Sequence, residues 1–207
     1  METDWSVAAA ADDPVIEMPW RDDRSALAWV DLRVNAEAQR VRMAAIPEAA
    51  TSPTLAHTLA LLNAPHGLLL TTKCDRWRLN EEERADLADA LDSPAAYGYG
   101  SYVDVLMAHA TPMTDFLLHE EWARLTAMRC AALAAEAARM ELIVRPACSN
   151  GLWGYGITIY CYAGGVDEAH AETAWASALK QITPVLIEAA ENLLASVDDA
   201  RQPGRLT

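Results

Sequence analysis

Residues 155–163 read YGITIYCYA, and apolar and polar side chains alternate along this stretch. A period of two is typical of a β-strand with one buried face. One face would carry Ile157, Ile159, Cys161 and Ala163, and the other would carry Thr158, Tyr160 and Tyr162. A second apolar stretch, ELIVRPA at 141–147, precedes it across the turn-rich sequence CSNGLWG. Together the two stretches predict an antiparallel hairpin over residues 141–163.

Long helical patterns lie on both sides of this hairpin. Thr111 followed by Pro112 is typical of a helix start, with Thr as the N-cap and Pro in the first turn. The apolar side chains that follow predict a helix as far as about Arg139. Residues 167–196 also carry apolar side chains every three or four positions. They predict a second long helix after the hairpin.

Three shorter helices are predicted nearer the N-terminus. Apolar residues spaced by three and four predict a helix from Ser25, as its N-cap, to Pro47, although the stretch SALAWVDLRV at 25–34 could instead pair as a strand. A short helix is predicted over 54–63. Asn80 and Glu83 have the spacing of a capping box and predict the start of a third helix.

The order of these elements predicts an α+β fold. Several helices would pack on a small, mainly antiparallel sheet in one domain over residues 14–198. Residues 1–13 are predicted to be a disordered acidic lead, and residues 199–207 a loose tail. The segment SPAAYGYGSY at 93–102 is predicted to be a loop, and residues 102–109 fit a helix or a strand equally well.

The charge of the chain restricts its partners. A formal net charge of −14 and a pI near 4.6 oppose binding to nucleic acid, because phosphate recognition needs clustered Lys and Arg. The acidic N-terminus does not resemble a signal peptide, and no stretch has the length and apolarity of a membrane span. The four cysteines have no C-x-x-C spacing. The sequence therefore predicts a bacterial-type cytoplasmic protein that binds neither nucleic acid nor membrane.

A cluster of basic residues follows the apolar stretch LLLTT at 68–72, which predicts a buried strand. The sequence TKCD resembles the guanine-reading motif of GTP-binding proteins, but the chain lacks the G-x-x-x-x-G-K-[ST] loop that holds the phosphates. The cluster instead predicts an anion-binding or ligand-binding site. Its residues are Lys73, Cys74, Arg76, Trp77 and Arg78, and the cationic neighbours would lower the pKa of the Cys74 thiol. In the alternative interpretation, these charges pair with Asp75 and with the acidic residues at 81–83.

Aromatic residues next to glycines form a second candidate site. The segments YGYG at 97–100 and WGYG at 153–156 would line one pocket or interface if both met at the same end of the sheet. The aromatic candidates are Tyr97, Tyr99, Trp153 and Tyr155, with Tyr160 and Tyr162 on the polar face of the hairpin. The alternative is that the glycines form turns and the rings cover the core.

The histidines suggest one local pair. Asp115 and His119 are one helical turn apart, so an Asp–His pair on one helix face is predicted. No H-x-x-x-H, H-E-x-x-H or E-x-x-H spacing is present, so neither a metal site nor another cofactor is expected. The chain also lacks the G-x-S-x-G and S-x-x-K patterns of serine nucleophiles.

Two functions from different classes fit these observations. The first is an acidic cytoplasmic protein-binding module, such as an inhibitor, an immunity protein or a chaperone-like protein, with a basic protein partner. The alternative is an enzyme or sensor that binds a small molecule at Lys73, Arg76 and the glycine–aromatic segments. The sequence also leaves open a homo-oligomer, such as a homodimer, through the Tyr160/Tyr162 face or an alanine-lined helix, and it does not decide whether the chain is an enzyme.

Overall fold

A computed structural model describes residues 1–22 and 27–201, with side chains described up to Val197. Six strands and seven helices occur in these ranges. They are β1 (Glu2–Val7), β2 (Ile16–Met18), α1 (Ala36–Met43), α2 (Pro47–Thr51), α3 (Pro53–Leu62), β3 (Leu69–Arg78), α4 (Glu81–Leu91), β4 (Tyr97–Met107), α5 (Ala110–Met113), α6 (Phe116–Cys130), β5 (Ala138–Ser149), β6 (Leu152–Gly165) and α7 (Glu168–Arg201). No helix in the described ranges is long and apolar enough to cross a membrane.

The strands form one sheet in the order β1-β5-β6-β4-β3, and β2 also pairs with β5. The pairs from β5 to β3 are antiparallel, whereas β1 and β2 run parallel to β5. The predicted α+β class and the hairpin over 141–163 are thus confirmed. The hairpin turns at Asn150 and Gly151, whose φ angles of 50° and 83° suit glycine and asparagine.

Three helices cover one face of the sheet. α7 packs on β4 and β6, and it also contacts α3 and α6, so these helices share one core with the sheet. Two buried indoles join elements of this core, one between helix and sheet and one between two helices. Trp175 Nε1 donates a hydrogen bond to Ser101 Oγ at 2.9 Å, and Trp122 Nε1 donates to the Leu186 carbonyl at 3.0 Å. We call this side the helical face.

The opposite side, the open face, has α4 at one end and the segment around Ile16 at the other. At one end α4 and the segment after it approach so closely that a Cβ on Gly164 would lie 3.5 Å from Leu87 Cδ2 and 2.8 Å from Ala95 Cβ. At the other end a Cβ on Gly156 would lie 2.5 Å from Leu106 and 3.0 Å from Ile16. Between these ends, strand alternation puts the buried Thr158 and the half-buried Tyr160 and Tyr162 of β6 on this face.

The N-terminal lead differs from the sequence prediction. Residues 2–7 form strand β1 instead of a disordered segment, because they find hydrogen-bond partners on β5. Thr3 and Trp5 are half-buried toward the helices, and Thr3 Oγ1 donates to the Ala127 carbonyl at 3.2 Å. Only Trp5 and Val7 of this strand are apolar, so its sequence does not indicate a buried strand.

The helix predicted from Ser25 to Pro47 begins only at Ala36, after the N-cap Asn35. Ser25 itself lies outside the described residues. Residues 27–35 are non-helical, and Trp29 Nε1 donates to the Thr71 carbonyl of β3 at 3.1 Å. This segment therefore lies across the β3 edge of the sheet. The spacing of its apolar residues by three and four did not indicate this contact.

Three further element boundaries differ from the sequence prediction. α6 ends at Cys130 instead of Arg139, because strand β5 begins at Ala138. Strand β4 runs over 97–107, so the predicted 93–102 loop is half strand and the ambiguous segment is strand almost throughout. At the C-terminus α7 continues to Arg201, and the rest of the predicted loose tail, residues 202–207, lies outside the described residues.

Candidate functional site

Four aromatic side chains lie side by side on the open face, and we call them the aromatic strip: Trp77, Tyr102, Tyr160 and Tyr162. The Tyr160 and Tyr162 rings are stacked, with centroids 5.9 Å apart and planes 2° apart. Trp77 meets Tyr162 edge-on at 6.1 Å, and Tyr102 lies 5.9 Å from Tyr160. The strip crosses the neighbouring strands β3, β4 and β6.

Local contacts hold the strip in place. Trp77 Nε1 donates to Glu83 Oε1 at 3.0 Å, and Glu83 also completes the capping box at the start of α4. Gly100 leaves room for Trp77, because a Cβ there would lie 2.8 Å from the indole ring. All four rings are half-buried, so each keeps a surface that a partner can contact.

A buried polar group lies beside the strip, on the same face of the sheet. Thr158 Oγ1 donates to Asp104 Oδ1 at 2.6 Å, and Arg145 Nε donates to Thr158 Oγ1 at 3.1 Å. Asp104 is only 8% exposed. Burial raises the pKa of its carboxyl, while the Thr158 hydrogen bond and the charges of Lys73 and Arg145 oppose that rise.

Replacement of Asp104 by asparagine tests the free-energy cost of burying its charged carboxylate. Asp104→Asn is expected to raise the melting temperature at pH 7, because the amide carries no charge that burial penalises. The folded-state pKa of Asp104 is above its unfolded value, so the penalty is complete above the folded pKa and is relieved as the pH falls through it. The gain should therefore shrink between pH 7 and about pH 4.

Calorimetry across that pH range measures this effect. Asp75→Asn, which replaces an exposed carboxylate on the same strand face, is the control and should change stability by less than about 0.5 kcal/mol. A lower melting temperature for Asp104→Asn at pH 7 would contradict the prediction. It would mean that attraction to Lys73 and Arg145 outweighs burial.

Carboxylates border the strip. Asp75 is exposed directly across from Tyr102, and Glu2 and Asp4 are exposed along β1 at the far side. The two arginines of β5 on this face are already engaged. Arg139 forms an ion pair with Glu141, and Arg145 donates to Thr158. The open face therefore offers aromatic rings and acidic groups.

The predicted basic cluster is divided between the two faces. Strand alternation puts Asp75 and Trp77 on the open face, and Arg76 and Arg78 on the helical face. The Arg76 guanidinium lies 4.4 Å from the Tyr99 ring centroid and 4.7 Å from that of Trp175.

Both arginines also have acidic partners on α7. Arg76 pairs with Glu172 at 2.7 Å, and Arg78 pairs with Glu168. Lys73 lies 5.5 Å from the ring centroid of Trp20. The prediction that Lys73, Arg76 and Arg78 form a single anion site is therefore wrong.

The predicted reactivity of Cys74 is also wrong. Burial, followed by the charges of Glu48, Asp75 and Asp104, raises the pKa of the Cys74 thiol to about 12. The carboxylates around this thiol outweigh the basic residues beside it in sequence. At neutral pH the thiol is protonated and a poor nucleophile.

The two glycine–aromatic segments lie at opposite ends of the sheet. Residues 97–100 pair with residues 162–165 of β6, whereas 153–156 lie at the other end of that strand and pair with β5. The predicted shared pocket is therefore contradicted. The rings have separate environments: Tyr99 packs under Arg76, Tyr155 packs on Phe116 and His119, and Tyr97 and Trp153 are exposed.

The predicted Asp115–His119 pair is a contact to the backbone. The Asp115 carboxylate caps α6 by accepting a hydrogen bond from Leu118 N at 3.1 Å. His119 Nδ1 lies 2.8 Å from the Asp115 carbonyl oxygen, and burial lowers the pKa of the imidazole. Within residues 1–22 and 27–201, no three His, Cys, Asp or Glu side chains come together to hold a metal ion.

A cavity of about 490 Å³ opens at the β3 edge of the sheet. Trp20 Nε1 donates to the Thr72 carbonyl at 2.7 Å, which brings the N-terminal segment against this edge. The register shifts at the bulge between Thr71 and Cys74. Tyr102 belongs to both the cavity wall and the aromatic strip, so the two features are continuous.

The sequence indicated Trp77, Tyr160 and Tyr162 as candidates, but it did not predict that they lie side by side. It missed Tyr102 because the helix-or-strand state of its segment was open. Comparison of the chain with protein-family models, with curated proteins and with solved structures finds no match in any of the three.

Proposed function

We propose that this protein is a protein-binding module, of the inhibitor, immunity or chaperone-like kind, and that the aromatic strip is its contact surface. The observation that carries the proposal is the row of half-buried rings of Trp77, Tyr102, Tyr160 and Tyr162 on the open face. Tyr and Trp are enriched among the residues that dominate binding energy in protein interfaces. Aromatic rings at a surface do not promote solubility, so a row of them on a sheet face favours a role in binding.

The shape of the surface favours a protein over a small molecule. The strip extends over three neighbouring strands, which are about 4.8 Å apart in a sheet. It is a broad surface between α4 and the segment around Ile16, and not a closed pocket. Its rings are already packed on one another, so binding would order few side chains and lose little entropy.

The charges favour a basic partner. A net charge of −14 would attract a cationic protein over long range and speed the encounter. At close range, arginine side chains can stack on Tyr and Trp rings while they pair with Asp75 or Asp4 at the border of the strip. The same field disfavours nucleic acid.

Site-specific photo-crosslinking tests this proposal. Benzoylphenylalanine at position 162 in the native host is expected to trap a protein rich in Lys and Arg. The same photoreactive residue at position 117 is the control, since Leu117 is 70% exposed on α6, away from the open face. Equal products from both positions would contradict the proposal. A product of twice the mass of this chain would assign the face to self-association instead.

A further inference from the structure

The strands at the two ends of the sheet carry the same side-chain contact. In the described part of the chain, β1 and β3 each pair with one strand, so half of their backbone groups point away from the sheet. On β1, Asp4 Oδ1 accepts a hydrogen bond from the Trp5 N–H at 2.7 Å. On β3, Asp75 Oδ1 accepts one from the Arg76 N–H, also at 2.7 Å. In both strands an aspartate binds the amide of the residue that follows it.

The hydrogen-bond register shows that both amides point outward. Leu79 N donates to a carbonyl of β4 at 2.9 Å, so Arg76, three residues earlier, turns its backbone groups away from β4. Ala8 N donates to a carbonyl of β5 at 2.9 Å, so Trp5 turns its amide away from β5 in the same way. These N–H groups are ones that a strand added to either edge would need.

Three more side chains bind the backbone of β3 near its bulge. The Thr71 N–H donates to Asn63 Oδ1 at 2.9 Å, and the Thr71 carbonyl accepts from Trp29 Nε1 at 3.1 Å. The next carbonyl, that of Thr72, accepts from Trp20 Nε1 at 2.7 Å. With the aspartate contact at residue 76, side chains of this chain engage four backbone groups along the β3 edge.

Such contacts matter because an open edge is a template for another strand. The affinity of an added strand comes from main-chain hydrogen bonds, and it falls when the edge N–H and C=O groups already have partners. We propose that these side chains close both edges of the sheet to an added strand and thereby prevent two copies of this chain from associating edge to edge. The edges are a different surface from the aromatic strip, so this proposal is independent of the proposed function.

Two pairs of aspartate variants test the closure at equal charge. Asp4→Ala with Asp75→Ala removes both acceptors, whereas Asp4→Asn with Asp75→Asn removes the same charges and keeps an acceptor oxygen in each position. Both aspartates are exposed, so neither pair of substitutions should prevent folding, which a melting curve verifies. The contacts of Asn63, Trp20 and Trp29 are unchanged in all variants.

Sedimentation velocity of the full chain measures self-association in each pair. From about 10 µM to about 1 mM, we expect the alanine pair to self-associate at least roughly tenfold more tightly than the asparagine pair. The single variants Asp75→Ala and Asp75→Asn give the same comparison at the β3 edge alone. Amide hydrogen exchange locates the contact: exchange within 2–7 and 69–78 should slow as the concentration of the alanine pair rises.

Two results would overturn the proposal. The first is self-association of the alanine and asparagine pairs that agrees within about threefold, since the acceptor oxygens would then have no effect on the edges. The second is tighter self-association of the alanine pair without slower exchange in β1 or β3. That result would place the contact between copies on another surface.

Discussion

Trp122→Ala is expected to lower the free energy of unfolding by about 3–5 kcal/mol. The indole is fully buried between the sheet and the helices. Its loss leaves a cavity where α6, α7 and the sheet meet, and such a cavity forfeits packing as well as the transfer free energy of the ring. The substitution also removes the hydrogen bond from Nε1 to the Leu186 carbonyl, which joins α6 to α7.

Urea unfolding followed by circular dichroism measures this loss. The matched control is Trp153→Ala, since Trp153 is 63% exposed at the turn of the hairpin. We expect the control to change the free energy of unfolding by less than about 0.5 kcal/mol. Similar losses in both variants would contradict the layered packing described for α6 and α7.

Local periodicity explains the part of the fold that the sequence predicted. The alternation in residues 155–163 comes from a strand that is buried on one side, so the hairpin could be identified directly. The capping box at Asn80 and Glu83 also forms as the pattern indicates, because its two hydrogen bonds lie within one turn. Such features depend on residues that are close in sequence.

The missed elements depend on distant partners. β1 has few apolar residues, and its stability comes from pairing with β5, more than 130 residues away. β4 contains Gly98 and Gly100, which are typical of loops. Here they make room for Leu79 and Trp77, which pack against the strand. A single sequence does not show which side chains will occupy that space.

The candidate site was even less predictable, because it depends on strand order. Trp77 and Tyr162 become neighbours only because β4 lies between β3 and β6 in the sheet. Sequence proximity was misleading for the basic cluster. Arg76 and Trp77 are adjacent in the chain, but strand alternation directs them to opposite faces.

The aromatic strip is the central claim, and a double substitution tests it. Tyr160→Ala combined with Tyr162→Ala removes the stacked pair at the centre of the open face. Central aromatic residues each contribute about 2 kcal/mol or more when they are binding hot spots. We therefore expect at least a roughly hundredfold increase in the dissociation constant of the protein that crosslinks at position 162.

Isothermal titration with that partner is the decisive measurement. The control is Tyr97→Ala, because Tyr97 is exposed at the end of β4, outside the strip. A melting curve of each variant verifies that the variant is still folded. The account predicts the hundredfold loss for the Tyr160/Tyr162 variant and an unchanged constant for Tyr97→Ala. A folded double variant that binds within about threefold of the original protein would contradict it.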